Sequence, residues 1–288
     1  MTQRDASTAT TSKIPIVKLI TFGGGSLDYR EAASRLIKQS EDFPSIDVRR
    51  AYTDSDLPAD YHRLFNGLAA SHPTGYGLYS WKPYLIYNEL LMLNQNDILI
   101  YIDAGCELNK FGIRRFDDYL SYTSKHDVLL FELQHPNRYW TKFHPKLLGY
   151  PEHYFRNQLV GSVIFIKNND RARQFIKSWL DLCAFENGIL LKDPEDNEPQ
   201  LPIFKMHRHD QSCLSICAYQ HNIKPIPDET WFQDWRKAEK YPILALRSRT
   251  GESVLNEKLK RSIFKRAKLS FKEWRRKLIR KHKTGNQK

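Results

Sequence analysis

Two hydrophobic spacings alternate along the first half of this chain. Dense apolar runs at 14–22, 46–52 and 98–102 are closed by turn residues and read as buried strands. Between and after them, apolar positions return every three or four residues. Ala32, Ala33, Leu36 and Ile37 predict a helix over 29–40, and similar patterns predict helices over 60–70, from about 81 to 93, and over 113–122. Further strands are expected at 128–133 and 159–166, an amphipathic helix at 169–185, an irregular loop at 192–202 and an apolar helix from 213 to 219. Strand–helix alternation of this kind predicts an α/β fold with a mostly parallel central sheet flanked by helices. Nothing repeats internally.

Composition narrows the class. The chain has 288 residues, 41% of them hydrophobic and 12% aromatic, enough for a sizeable core and too apolar for a disordered body. No apolar run approaches the roughly 18 residues that span a bilayer. Residues 1–13 are polar, Ser/Thr-rich and without an apolar signal segment, so a disordered N-terminus and a cytoplasmic protein are expected. Cys106, Cys183, Cys213 and Cys217 have no paired spacing and are expected to be reduced thiols. The domain reading is a 14–250 folded body followed by a 251–288 tail.

Charge is concentrated in that tail. Residues 257–288 hold fourteen Lys or Arg against two Glu, which equals the whole net excess of +12 and leaves the body neutral. The apolar stripe Leu255, Leu259, Ile263, Phe264, Ala267, Phe271, Trp274 and Leu278 falls at helical spacing among those cations. A basic amphipathic helix with aromatic residues on its stripe suits an anionic membrane surface, here the inner face, better than a specific nucleic acid; packing of the stripe on the body is the rival.

Three segments carry candidate chemistry. The run 97–102 ends in Asp103, followed by the small residues Ala104 and Gly105, which places a carboxylate at the carboxyl edge of a sheet, where ligands of open α/β folds bind. Tyr76, Tyr79, Trp81, Lys82 and Tyr84 crowd aromatic rings and one cation at a helix entrance marked by Ser80 and Pro83. His207, His209, Asp210, Gln211 and Ser212 open another apolar helix, where an acidic residue also suits a capping role. The aromatic and histidine-rich stretch 134–157 fits a sugar-binding surface.

Taken in order, the tyrosine-rich loop, Trp-Lys-Pro-Tyr at 81–84, Tyr-Ile-Asp-Ala-Gly-Cys at 101–106 and His-Asp-Gln-Ser at 209–212 resemble bacterial glycosyltransferases of the GT-A fold, over about residues 16–249. The resemblance implies a Rossmann-like nucleotide-binding half and transfer of a sugar from a nucleotide diphosphate sugar to a glycan or lipid-linked acceptor, as in cell-surface polysaccharide synthesis. It implies that Thr21, Phe22, Gly23, Trp81, Lys82, Tyr84, Asp103, Ala104, Gly105 and Gln211 bind the donor and that Asp103 and Asp210 are catalytic. A divalent cation, Mn²⁺ or Mg²⁺, would be held by Asp103 and His209. Gly105 stands where the second carboxylate of the usual Asp-x-Asp would be, so a metal-free role for Asp103 stays open. A nucleotidyltransferase on a similar sheet is the alternative enzyme, although no Lys or Arg follows the 23–25 glycines before Arg30. A non-catalytic peripheral membrane or nucleic-acid-binding protein is the third reading.

Overall fold

A strand of five apolar side chains with no polar alternation must be covered on both faces. In the computed structural model, which describes residues 14–149 and 151–257, all five residues of β3 (Ile98–Ile102) are buried at the centre of the main sheet. The other strands are β1 (Val17–Phe22), β2 (Val48–Tyr52), β4 (Glu107–Leu108), β5 (Val128–Leu129), β6 (Phe131–Pro136), β7 (Asn157–Leu159), β8 (Val163–Lys167), β9 (Ile226–Pro227) and β10 (Ile243–Leu244). The main sheet runs β2-β1-β3-β8-β5. β2, β1 and β3 are parallel, and β8 is antiparallel to both β3 and β5. Four strands therefore point one way and β8 the other, so the sheet is mixed where the sequence predicts a mostly parallel one.

The helices longer than one turn are α1 (Leu27–Ser40), α2 (Ala59–Phe65), α3 (Trp81–Met92), α4 (Ile113–His126), α5 (Asp170–Ala184) and α6 (His209–Gln220). Successive strand residues feed opposite cores, as the two-residue period demands. Leu99, Tyr101, Ile164 and Ile166 join Ile86 of α3, Trp179 of α5 and Leu214 of α6 on one face. Ile100, Ile102 and Phe165 join Leu36 of α1 and Phe116 of α4 on the other. α6 is buried on nearly every side, with Asp210, Ser212 and Ser215 among its covered residues. β2 alternates exposed and covered residues, consistent with its place at the edge.

Two expected strands are each divided. The run 128–133 breaks at Leu130, so that β5 pairs in the main sheet and β6 pairs with β7 and β9 in a three-stranded sheet. The run 159–166 breaks at Gly161 and Ser162, between β7 and β8. The chain thus crosses between the same two sheets twice, and the second crossing lies at the functional cluster. The expected helix over 60–70 is likewise interrupted, at Asn66 and Gly67, whose φ values of +37° and +74° are left-handed.

At the C-terminal end of the described residues, a helical turn begins at 254. Leu255, the first residue of the proposed lipid-facing stripe, is buried with Ala238 and Leu244, so packing on the body claims that position. The rest of the expected basic helix, 258–288, lies outside the described residues, as does the expected disordered segment 1–13. Among the described residues no helix is long and apolar enough to cross a membrane. The four cysteines are free and buried.

Candidate active site

β3 delivers Asp103 to the carboxyl edge of the sheet. Its backbone N–H donates to the Ser162 carbonyl at 2.8 Å, which ties the strand end to the β7–β8 crossing. The Tyr101 hydroxyl, buried beneath, donates to Asp103 Oδ1. Burial and the Asp103 charge push the Tyr101 hydroxyl well above the usual tyrosine range, so it remains a proton donor. The Asp103 side chain is 31% exposed, the most accessible charged group of the cluster.

Lys82 lies in the first turn of α3 and is only 2% exposed. Its Nζ donates to the Gly161 carbonyl at 3.0 Å and stands 2.9 Å from Asp210 Oδ2 and 3.3 Å from Asp103 Oδ1. Burial alone would lower the lysine pKa, but Asp103 and Asp210 outweigh it and hold the ammonium above its ordinary range. Asp210 shifts upward too: burial dominates, and it shares its one ammonium with Asp103, whose like charge adds to the shift. The 2.9 Å contact is a close ion pair with poor hydrogen-bond angles, which leaves the buried Asp210 Oδ2 without a hydrogen-bond partner. Lys82 thus donates one N–H to Gly161 and is held between the two carboxylates by charge at close range, buried away from an incoming ligand.

Asp210 does not cap α6, whose N-terminus has no side-chain cap. Its carbonyl instead accepts from Trp179 Nε1 at 3.0 Å. Gln211 clamps the crossing: its Oε1 accepts from Gly161 N at 3.3 Å and its Nε2 donates to Gln158 Oε1 at 2.7 Å. A Cβ on Gly161 would come within 3.2 Å of Gln211, so the glycine permits this close approach. His207 is buried between the Lys142 N–H and the Leu190 carbonyl, and burial together with His209 lowers its pKa to about 3. His209 Nδ1 donates to the Leu191 carbonyl at 2.7 Å.

These donors do not suit a divalent cation. Hard cations want several free carboxylate or carbonyl oxygens, yet Asp103 Oδ1 is already occupied by the Tyr101 hydroxyl and the Lys82 ammonium. A fixed ammonium also fills the gap between Asp103 and Asp210. Among the described residues, no three His, Cys, Asp or Glu side chains gather as a metal site around Asp103 and His209 or elsewhere.

The expected donor-binding residues fall into two groups. Asp103, Gly105 and Gln211 are partly accessible beside the cluster. Thr21, Phe22, Gly23, Trp81, Tyr84 and Ala104 are buried. Phe22 and Trp81 stack on each other with centroids 3.9 Å apart, and Tyr84 packs edge-on against Tyr61. Ala104 packs with Ala32 and Ala33 of α1, and a Cβ on Gly23 would fall 2.3 Å from the Tyr29 carbonyl oxygen. This second group forms the floor and the wall behind the cluster.

Sequence reasoning passed over Tyr101, Gln158 and Gly161, and gave Tyr79 no role of its own. A lone tyrosine in an aliphatic strand and a glycine inside an expected strand were the available signals. The Ser80 cap expected before α3 does not form; the Ser80 hydroxyl pairs with the Tyr61 hydroxyl at 2.8 Å. The chain enters α3 through five consecutive left-handed residues, Gly75 to Tyr79, with φ between +50° and +81°. Each non-glycine residue there costs roughly 1–2 kcal/mol. Trp81 Nε1, donating to the Gly75 carbonyl at 2.9 Å, helps hold the turn, which brings the Tyr79 ring 5.3 Å from Lys82 Nζ.

Across α6, the 134–157 stretch presents Tyr139 and Trp140. The Trp140 carbonyl accepts from the Ser212 hydroxyl at 3.0 Å, two residues beyond Asp210. Arg138 and Lys205 both lie 5.2 Å from the Tyr139 ring. The cluster itself lines neither a hollow of about 580 Å³ bordered by Trp231 and Lys237 nor one of about 270 Å³ bordered by Tyr61 and Tyr76.

No protein-family model matches the sequence, and no curated protein matches it. Two solved structures align over most of the chain. One is a glycosyltransferase involved in glycosylation of the major capsid of PBCV-1, at 12% identity over 80% of this chain and 92% of that one, with a TM-score of 0.37. The other is apo mouse xyloside xylosyltransferase 1, at 9% identity over 76% and 89%, with a TM-score of 0.42. At such scores the likeness decides nothing about chemistry, which has to be read from the cluster itself.

Proposed function

We propose that this chain is a glycosyltransferase that moves a sugar from a nucleotide diphosphate sugar to a glycan or lipid-linked acceptor. The observation that carries the reading is the Lys82 ammonium buried between Asp103 and Asp210 at the carboxyl edge of β3, with only Asp103 open to solvent. An ion cluster of this kind is expensive to bury, and its worth to the fold alone is small. It fits a site that must present a carboxylate in one fixed orientation.

In this reading Asp103 accepts hydrogen bonds from hydroxyls of the donor, and Tyr101 and Lys82 fix its position. Asp210, with its raised pKa, is the candidate base for the acceptor hydroxyl, and Gln211 and Gly161 hold it in register. The buried Phe22–Trp81 stack forms the floor of the nucleotide pocket. Tyr139 and Trp140 offer ring faces on the α6 side for the acceptor sugar. The basic segment 257–288 would hold the enzyme at an anionic membrane surface.

The test is a transfer and donor-hydrolysis assay across a panel of nucleotide sugars, comparing wild type with Asp103→Asn. The expected result is release of nucleoside diphosphate by the wild type and a loss of at least about 100-fold in the variant, at unchanged melting temperature. Full activity in the variant would refute the reading. Release of pyrophosphate would point to nucleotidyl transfer instead.

A further inference from the structure

If the site takes a nucleotide diphosphate sugar, as proposed above, something must neutralise the diphosphate. Asp103 and Asp210 bring two negative charges against one positive charge on Lys82, which is buried against the Gly161 carbonyl and both carboxylates. An incoming diphosphate therefore meets a cluster of net negative charge whose one ammonium is buried. Arg35, behind the same loop, is also committed: it donates to the carbonyls of Ala104, Cys106, Ser248 and Glu252 and pairs with Glu107 at 3.6 Å.

Arg247 differs from both. It is exposed and makes no ion pair or side-chain hydrogen bond among the described residues. Its Cα lies 3.7 Å from where a Cβ on Gly105 would stand, so its backbone rests on the loop that follows Asp103. Its φ of +55° is left-handed, a conformation that an arginine adopts only when its surroundings impose it. They do so through Ser248, whose N–H donates to the Gly105 carbonyl at 2.9 Å, whose carbonyl accepts from Arg35 at 3.2 Å and whose hydroxyl donates to Glu107. A buried network thus holds the Arg247 backbone beside Gly105, with an exposed and uncommitted side chain.

We propose that Arg247 is the cation that binds the donor's diphosphate. A planar guanidinium engages phosphate oxygens in pairs, which an ammonium does not. The second uncommitted cation, Arg249, two residues on, is exposed and does not come within 4 Å of a Cβ on Gly105, which makes it the control.

The test uses calorimetric titration of the full-length protein with a panel of nucleosides and their mono- and diphosphates, in EDTA and again with Mn²⁺. The wild type is expected to bind one nucleoside diphosphate in both buffers. Arg247→Gly and Arg247→Ala should weaken that binding at least tenfold, Arg247→Lys should retain part of it, and Arg249→Ala should change it less than twofold. Affinity for the bare nucleoside should be unchanged, and Arg247→Gly, free of the left-handed penalty, should melt no lower than wild type. Equal diphosphate affinity in Arg247→Gly and wild type would overturn the proposal, as would an equal loss in Arg249→Ala or an equal loss for the bare nucleoside. A wild type that binds no nucleoside diphosphate in either buffer would defeat the nucleotide-sugar reading itself, a different failure.

Discussion

Two buried ion clusters flank the loop 103–106, and they are built to different standards. Behind the loop, Glu107 is saturated: Oε1 accepts from the Ser248 hydroxyl and Val254 N, and Oε2 accepts from Gln39 Nε2 and the Ser253 hydroxyl, with Leu255 N 3.3 Å from both oxygens. In front of the loop, Asp210 Oδ2 has an ammonium beside it but no well-formed hydrogen bond, and Asp103 is open to solvent. Polar networks that serve only the fold tend toward complete satisfaction, because each unpaired buried group is costly in a low dielectric. The Glu107 cluster reads as scaffold and the Lys82 cluster as chemistry. Even the scaffold has one gap, since Arg35 Nε is buried without a partner.

The largest effect should come from the saturated cluster. Glu107→Ala strips the partner from Arg35 and leaves the hydroxyls of Ser248 and Ser253 and the N–H groups at 254 and 255 without an acceptor. Breaking a buried pair costs roughly 3–5 kcal/mol, and the added unpaired donors place this variant at or above the upper end. Urea unfolding should show a lowered midpoint, and limited proteolysis should show release of the segment after Ser248. A variant within about 1 kcal/mol of wild type would mean that the network is not scaffold, and the contrast would collapse.

Lys82→Met should rank second, with a cost that depends on pH. In the folded wild type the lysine pKa lies above its unfolded value, so its contribution is fully present below about pH 10.4 and fades only as pH climbs through the higher folded value. Across pH 5–8 that contribution is constant. Asp210 behaves otherwise: its folded pKa is already raised, and removing Lys82 raises it further. Below the unfolded value near 4 the carboxyl is protonated in both states and carries no penalty; above it the penalty grows until pH passes the folded value. The variant should therefore lose roughly 3 kcal/mol at pH 8 and recover part of it as pH falls toward 5. A loss independent of pH would show that Asp210 does not depend on Lys82.

How far the sequence discloses these clusters follows from the range of the interactions. β1, β3, α1, α3 and α5 lie within a few residues of the positions that their periodicity predicts, because a strand buried on both faces and an amphipathic helix advertise themselves locally. Asp103 was legible for the same reason, as a carboxylate ending an apolar run. The direction of β8 was not, since Val163–Lys167 has the same composition whichever way it runs. Nor did a local pattern indicate that Lys82 would be buried against Asp210, 128 positions away, or that Gly161 would supply the carbonyl between them. The left-handed turn at 75–79 was signalled only by Gly75 and Gly77; Tyr76, Leu78 and Tyr79 adopt φ values that their side chains disfavour.

The finest discrimination lies in one hydroxyl. Tyr101→Phe removes the donor to Asp103 Oδ1 and nothing else from a ring that is 1% exposed, so the aliphatic surroundings in the core should stay intact. A hydrogen bond to a charged group is worth about 1.5–3 kcal/mol, but Asp103 is partly solvated and water can replace the lost donor, which argues for the lower end or less. Stability should therefore fall by about 1 kcal/mol. If Asp103 only braces the loop, activity should fall no further than the folded fraction does. If Asp103 holds a substrate hydroxyl, freeing its carboxylate from Tyr101 lets it rotate, and transfer should drop about tenfold while the protein remains folded, with donor affinity weakened alongside. Parallel measurement of unfolding midpoint and turnover separates the two, because the front cluster is expected to lose function before stability and the back cluster stability before function.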